Sequence, residues 1–217
     1  MNRTTALAAL ATLCLYATSA HAIDAYVGAG TTGFLLGVEH HYNDNLGVRA
    51  DLNALSLSRD ASDSSATYHG TLHLADVAVL ADYHPWGGRF RLSAGALMGN
   101  SNFSAVADGN ASGTFNLNGI AVNAAGQSLA AKVTFPTVRP YFGLGFGSAA
   151  RDTGLSFNGD VGVAIGRPKV TINASPGLVT AAQAAGTSVE AETTQLQSKA
   201  DQLRLYPVIR LGVGWGF

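Results

Sequence analysis

Eight charged residues are placed where alternating sequence would bring them together: Arg49, Arg91, Arg139 and Arg210, with Asp24, Glu39, Asp51 and Asp160. Each lies in a run whose neighbouring positions are apolar. Successive side chains of a strand point to opposite faces, so a period of two puts these charges on one side and the apolar residues on the other. Four cations and four anions held in a narrow interior must pair with one another and with water, because an unpaired buried charge is costly. Two outcomes are open at this point. The charges form a salt-bridge lattice that fills the interior, or they line a thin polar passage, as charged rings do in selective channels. The same face is rich in glycine, including Gly28, Gly37, Gly143, Gly145, Gly162 and Gly212. These glycines either leave space for a passage or serve the curvature of a tight sheet.

Other chemistry finds little support. Asp82 and His84 could make an acid and base pair, but they adjoin the turn Pro85-Trp86-Gly87-Gly88, where an interfacial role is expected. His40 and His41 fall on opposite faces of one strand and cannot converge on a metal. His69 and His73 are not spaced for a convincing metal site, and no serine is clearly paired with an inward histidine and carboxylate. The expectation is no enzyme, no catalytic residue, no metal and no cofactor.

The strands that carry the charges can be read in order. The last nine residues set the pattern: Ile209, Leu211, Val213, Trp215 and Phe217 alternate with Arg210 and glycines. Such an ending also fits a sandwich edge strand, but an aromatic terminus with a second aromatic two residues before it resembles the closing strand of bacterial outer-membrane barrels, in which this segment is the assembly signal. Trp215 and Phe217 would carry that role. Upstream, alternation predicts strands over 23–31, 34–42, from 47 with a phase slip near Ala54-Leu55, 67–83, 90–103, from 138 and 155–165. The phase of 67–83 is ambiguous, because His73 and Asp76 cannot share a face of an unbroken strand. With the closing strand the count is eight. Asn118-Gly119 between Phe115/Leu117 and Ile120/Val122 is a type I′ hairpin signal within a long loop. Between Pro176 and Leu205 the period changes. Ala, Gln, Glu and Lys dominate, and Val189, Leu196 and Leu203 recur every seven residues, which predicts a helix with a weak apolar stripe. That helix is either a cap over the barrel mouth or a solvated insertion.

Composition agrees. The 217 residues include 26 glycines, only 12% are charged, and the net charge of -1 gives no reason to expect a nucleic-acid partner. Arg3, the apolar stretch 6–16 and Ala20-His21-Ala22 read as a signal peptide over 1–22, leaving 23–217 as one domain. Cys14, the single cysteine, lies in that signal. No later run approaches the roughly 18 apolar residues of a spanning helix. An exported chain of alternating strands is expected in the outer membrane as a closed barrel, with lipid and the barrel-assembly machinery as partners.

Three blocks sharpen this. Residues 81–95 (ADYHPWGGRFRLSAG), 140–147 (PYFGLGFG) and Tyr206-Pro207-Val208 leading to Phe217 resemble the carbapenem-associated outer-membrane proteins, or ornithine-uptake porins. The resemblance spans most of 23–217, and the first block is its most specific part. It implies an eight-stranded antiparallel transmembrane β-barrel and a channel for small basic amino acids, but supplies no binding residues. The function expected is slow passive passage of small polar solutes. The alternative is a closed structural or surface-interaction barrel acting through its outer loops.

Overall fold

The computed structural model describes residues 23–62, 66–109, 113–150 and 152–217. The signal-peptide reading over 1–22, with Cys14, lies outside them. Eight strands follow the alternation: β1 (Ile23–Gly30), β2 (Gly33–Asn43), β3 (Leu46–Ser62), β4 (Ala66–Tyr83), β5 (Phe90–Gly99), then β10 (Val138–Phe146), β11 (Gly154–Ile165) and β13 (Leu205–Gly216). Each pairs antiparallel with its neighbours in the order β4-β3-β2-β1-β13-β11-β10-β5, and β5 pairs back onto β4. The eight therefore close into a ring. Closure removes the edges of the eight strands, each of which would otherwise present a row of unpaired backbone groups.

The first and last described residues lie at one end of the ring, where Asp24 pairs with Gly216 and the Phe217 amide donates to the Ile23 carbonyl at 3.2 Å. Short connections 44–45 and 84–89 lie at this turn end. The long excursions 100–137 and 166–204 lie at the opposite, cap end. There β6 (Asn102–Gly109), β9 (Ser128–Thr134) and β12 (Lys169–Ala174) extend the sheet beyond the ring from the upper half of β4. The span expected as one strand over 90–103 is thus divided. β4 pairs with β5 below Asp76 and with β6 above His73, and the chain turns between them at Ser101. This also settles the phase of β4: Asp76 is buried inside, while His73 is exposed where the sheet leaves the ring.

Three further expectations are revised. No slip occurs at Ala54-Leu55, where the register with β4 is continuous; the irregularity is in β2 between His41 and Asn43. The single helix is two, α1 (Pro176–Ala184) and α2 (Val189–Ala200), broken by Gly186 at φ +79 and followed by a 3-10 turn, Asp201–Arg204. The seven-residue recurrence of Val189, Leu196 and Leu203 spanned a helix that ends before Leu203. The helices are also not a bare insertion. Leu178 and Ala182 of α1 pack with Phe115, Leu117, Val122 and Ala124 in a second buried core, built on the hairpin of β7 (Thr114–Leu117) and β8 (Ile120–Asn123). That hairpin turns through Asn118 (φ 52) and Gly119 (φ 81), as the type I′ signal requires. α2 is joined to β12 through Gln197, whose Oε1 accepts from the Val170 amide at 2.8 Å.

The ring's outward face is apolar. Phe34, Val77, Phe142, Phe157, Leu211 and Trp215 are among its exposed large hydrophobic residues, and aromatic side chains Tyr42, Tyr83, Trp86 and Phe217 crowd the turn end. Among the described residues no helix is long and apolar enough to cross a membrane.

The inward glycines have a definite use. A Cβ on Gly37 would strike the Tyr26 ring, on Gly143 or Gly162 the Tyr141 phenol, and on Gly145 or Gly147 the Arg91 side chain. These five make room for large side chains of their own or the neighbouring strand, whereas Gly28 and Gly212 allow close approach of the β1 and β13 backbones. Gly143→Val is therefore expected to displace Tyr141 and to cost about 1–3 kcal/mol, as overpacking does, read as a lower temperature of unfolding in heat-modified gel migration.

Candidate functional site

β4 orders the interior by itself. From the turn end, every second residue of the chain at this strand faces inward: His84 just past its end, then Asp82, Leu80, Ala78 and Asp76, and all five are buried. These positions define four tiers, completed by residues from the other strands.

The central tier holds Arg49, Arg91 and Arg210 with Asp51, Asp82 and Asp160. Arg49 Nη1 lies 2.9 Å from Asp160 Oδ2 and its Nε 3.0 Å from Asp82 Oδ2. Arg91 Nη2 lies 3.1 Å from Asp160 Oδ1, and Arg210 Nη1 2.7 Å from Asp51 Oδ2. Asp160 also faces Arg210 Nη2 at 3.8 Å, so one carboxylate meets three guanidinium groups. Hydroxyls complete the tier: Tyr26 donates to Asp51 and Ser93 to Asp82. This is the arrangement a buried charge requires, with fixed partners and hydrogen bonds in place of water.

Toward the cap end comes an apolar tier of Ala78, Leu80, Leu97, Tyr141, Ala164 and Val208, each 0–1% exposed. Above it Asp76 pairs with Arg139 and accepts from Ser101 Oγ at 2.7 Å. At the turn end, below the central tier, Asp24, Glu39, His41 and His84 form the fourth tier. His41 Nε2 lies 3.1 Å from Asp24 Oδ2.

All eight charged residues expected inside are inside, none more than 4% exposed. Arg49, Arg91, Arg210, Asp51 and Asp160 meet in one network, and Glu39 touches its edge through Arg91 Nη1 at 3.7 Å. Arg139 and Asp24 do not join it. The expected balance of four against four is incorrect. Asp76 and Asp82 are also buried, so six buried carboxylates face four buried guanidinium groups among the described residues. The interfacial role expected for Asp82 and His84 is likewise overturned, since both are inside the ring. His40 and His41 do diverge, yet His41 meets His84 from another strand end, with ring centroids 5.5 Å apart. The signal for Asp76 and Asp82 was present in the sequence. Counting back by twos from His84, with Val77 and Val79 outward, places both inside; His73 obscured it because it lies beyond the ring. Trp215 and Phe217 are exposed on the outward face at the turn end.

The sequence matches no family model, and no curated protein sequence matches it significantly. Solved structures do match. The fold superposes on CarO2 of Acinetobacter baumannii with a TM-score of 0.65 at 19% identity, over 90% of this chain and 98% of that one. It superposes on CarO of the same organism with a TM-score of 0.62 at 21% identity, over 89% and 97%. This chain has the CarO fold. The family resemblance read from residues 81–95, 140–147 and 206–217 and the CarO structures thus point the same way, and nearly the whole length of each CarO chain has a counterpart here.

Asp160 is the node of the central tier, and its loss leaves three guanidinium groups short of a partner. Asp160→Ala is expected to destabilise the fold by about 3–5 kcal/mol, the range for breaking one side of a buried ion pair, measured by urea unfolding in detergent. Asp152→Ala, removing the exposed partner of Arg89 at 2.9 Å, should change stability by less than about 1 kcal/mol.

Proposed function

We propose that this chain is an eight-stranded transmembrane β-barrel of the outer membrane, and that it passes small polar solutes slowly through an interior that is closed at rest. The apolar outward face with its aromatic girdle suits a bilayer, and a closed ring is one of the two structures that satisfy every backbone group there. In this reading the turn end faces the periplasm, the cap end faces outside, and Trp215 and Phe217 present the assembly signal to the barrel-assembly machinery.

The observation that carries the passage reading is the sharing of partners in the central tier. Arg49 and Arg91 each contact both Asp82 and Asp160, and Arg210 contacts Asp51 and Asp160. A guanidinium group with two carboxylates in reach can exchange one for the other without standing unpaired, and an incoming cation can take its place. The acidic excess favours basic solutes over acidic ones, in keeping with the ornithine-uptake resemblance.

A second reading rests on the apolar tier. Leu80, Leu97, Tyr141 and Val208 close the interior above the ion pairs, and polar solutes gain nothing from crossing it. A barrel closed in this way would act through its cap, whose hairpin and helices form a separate core.

Uptake by proteoliposomes containing the folded chain separates the two. Ornithine and arginine are expected to enter faster than glutamate or a neutral sugar, and faster than into bare lipid vesicles. Leu97→Ala should raise all rates by thinning the apolar tier, and Asp51→Ala should reduce the preference for basic solutes. Uptake indistinguishable from bare lipid for the wild type and Leu97→Ala alike, with both shown to be folded, would discard passage and leave the cap as the working part.

A further inference from the structure

The two surplus carboxylates have an address. In the central tier three guanidinium groups meet three aspartates, and Arg139 is matched by Asp76. The excess is left at the turn end, where Asp24 and Glu39 face His41 and His84. We infer that Glu39, His41 and His84 form a binding site for one divalent transition-metal cation of the zinc class.

Geometry is the first support. One donor atom from each of the three residues lies within 4.8 Å of the other two. Glu39 Oε1 stands 3.7 Å from His84 Nε2 and 3.8 Å from His41 Nε2. Ligands of a tetrahedral zinc ion at 2.0–2.1 Å are about 3.4 Å apart, so small side-chain rotations close the shell. Imidazole with carboxylate is a donor set that suits zinc and its neighbours, whereas calcium and magnesium take oxygen alone.

The second support is independent and concerns His84. Its Nδ1 is 2.7 Å from the Gly88 carbonyl oxygen, which can only accept, so Nδ1 carries a proton and donates. In the neutral ring Nε2 then holds a lone pair. That atom is buried without a hydrogen-bond partner and is aimed at Glu39 Oε1, itself buried and without one. Two acceptors facing each other in a buried site call for a positive charge between them, which a metal ion or a proton on Nε2 can supply. The backbone carbonyl on the far nitrogen is the usual way a metal-binding histidine is oriented.

The surroundings are compatible. Arg91 Nη1 approaches Glu39 at the other oxygen, Oε2, 3.7 Å away, leaving Oε1 for the histidines. Asp24 Oδ2 accepts from His41 Nε2 at 3.1 Å, so metal binding displaces that proton, and the unpartnered Oδ1 of Asp24 adds negative charge at the edge of the cluster. A dication matches the excess of two negative charges, and no residue of the central tier need change partner. The site does not depend on the passage reading, and it revises the expectation of no metal.

The test is metal binding by the full mature chain, refolded in detergent after chelator treatment. Cobalt(II) serves as the spectroscopic probe and zinc as its competitor. The wild type is expected to take up one cobalt per chain with the visible absorption of a tetrahedral nitrogen and oxygen shell, and to release it to zinc. His84→Ala and His41→Ala, shown to be folded by gel migration, should bind at least about tenfold more weakly. His69→Ala, at the exposed pair with Asp60 on the far side of the molecule, should bind as the wild type does. Glu39→Gln keeps the shape of Glu39 and provides a second variant if either alanine variant fails to fold; it too should weaken binding. Uptake unchanged in a folded site variant overturns the inference. So does folded wild type that takes up no cobalt, and nitrogen NMR showing both histidines doubly protonated would then identify protons as the source of the charge.

Discussion

Water has almost no access to the interior of this ring, and so every charge there must find a partner among the other side chains. That constraint explains more of the molecule than any single contact. Three guanidinium groups and three carboxylates occupy one tier because each would be prohibitively costly alone. The tyrosine and serine hydroxyls donate to aspartates that the arginines leave incompletely satisfied. Tyr141 serves two tiers at once: its ring belongs to the apolar tier and lies 5.3 Å under the Arg210 guanidinium carbon. An eight-stranded ring is just wide enough for its own side chains to fill, and here the filling is uneven in kind, apolar in one tier and charged in the others.

Glycine and large side chains are two halves of one device. Tyr26, Tyr141 and Arg91 lean along the inner wall and settle over glycines on their own or the neighbouring strand. The small residues therefore mark where a large one lands, and their abundance signals a filled interior, not an empty one. Outside, the requirement reverses. The outward face carries apolar and aromatic residues, and at the cap end the chain builds a second core of its own. Ring and cap thus bury their apolar residues differently, and the long β3 and β4 strands join them.

Much of this was legible in the sequence. Alternation alone located all eight strands of the ring and the eight charges first assigned to the interior, but it left the faces of β4 open and placed a slip in β3 that does not occur. Asn118-Gly119 announced its hairpin. These features depend on the two-residue period of a strand and on local turn chemistry, which neighbouring residues determine. The misplaced features were those whose environment changes along one element. β4 leaves the ring midway, so His73 and Asp76 obey different rules. The helical stretch is cut by Gly186, and its heptad spacing reached past the end of α2.

By itself, then, the sequence determined that this is an all-β chain of eight alternating strands with a charged interior face and an apolar exterior one, because those properties are local and periodic. Tertiary structure decided which charges meet. Ring closure brings Asp160 of β11 against Arg49 of β3 and Arg91 of β5, residues far apart in the chain, and sets the end of β4 beside β2 so that His84 faces Glu39 and His41. Those encounters depend on the register of every strand pair around the ring, a quantity no single stretch of sequence contains. The location of the acidic excess at the turn end became visible only when that register was fixed.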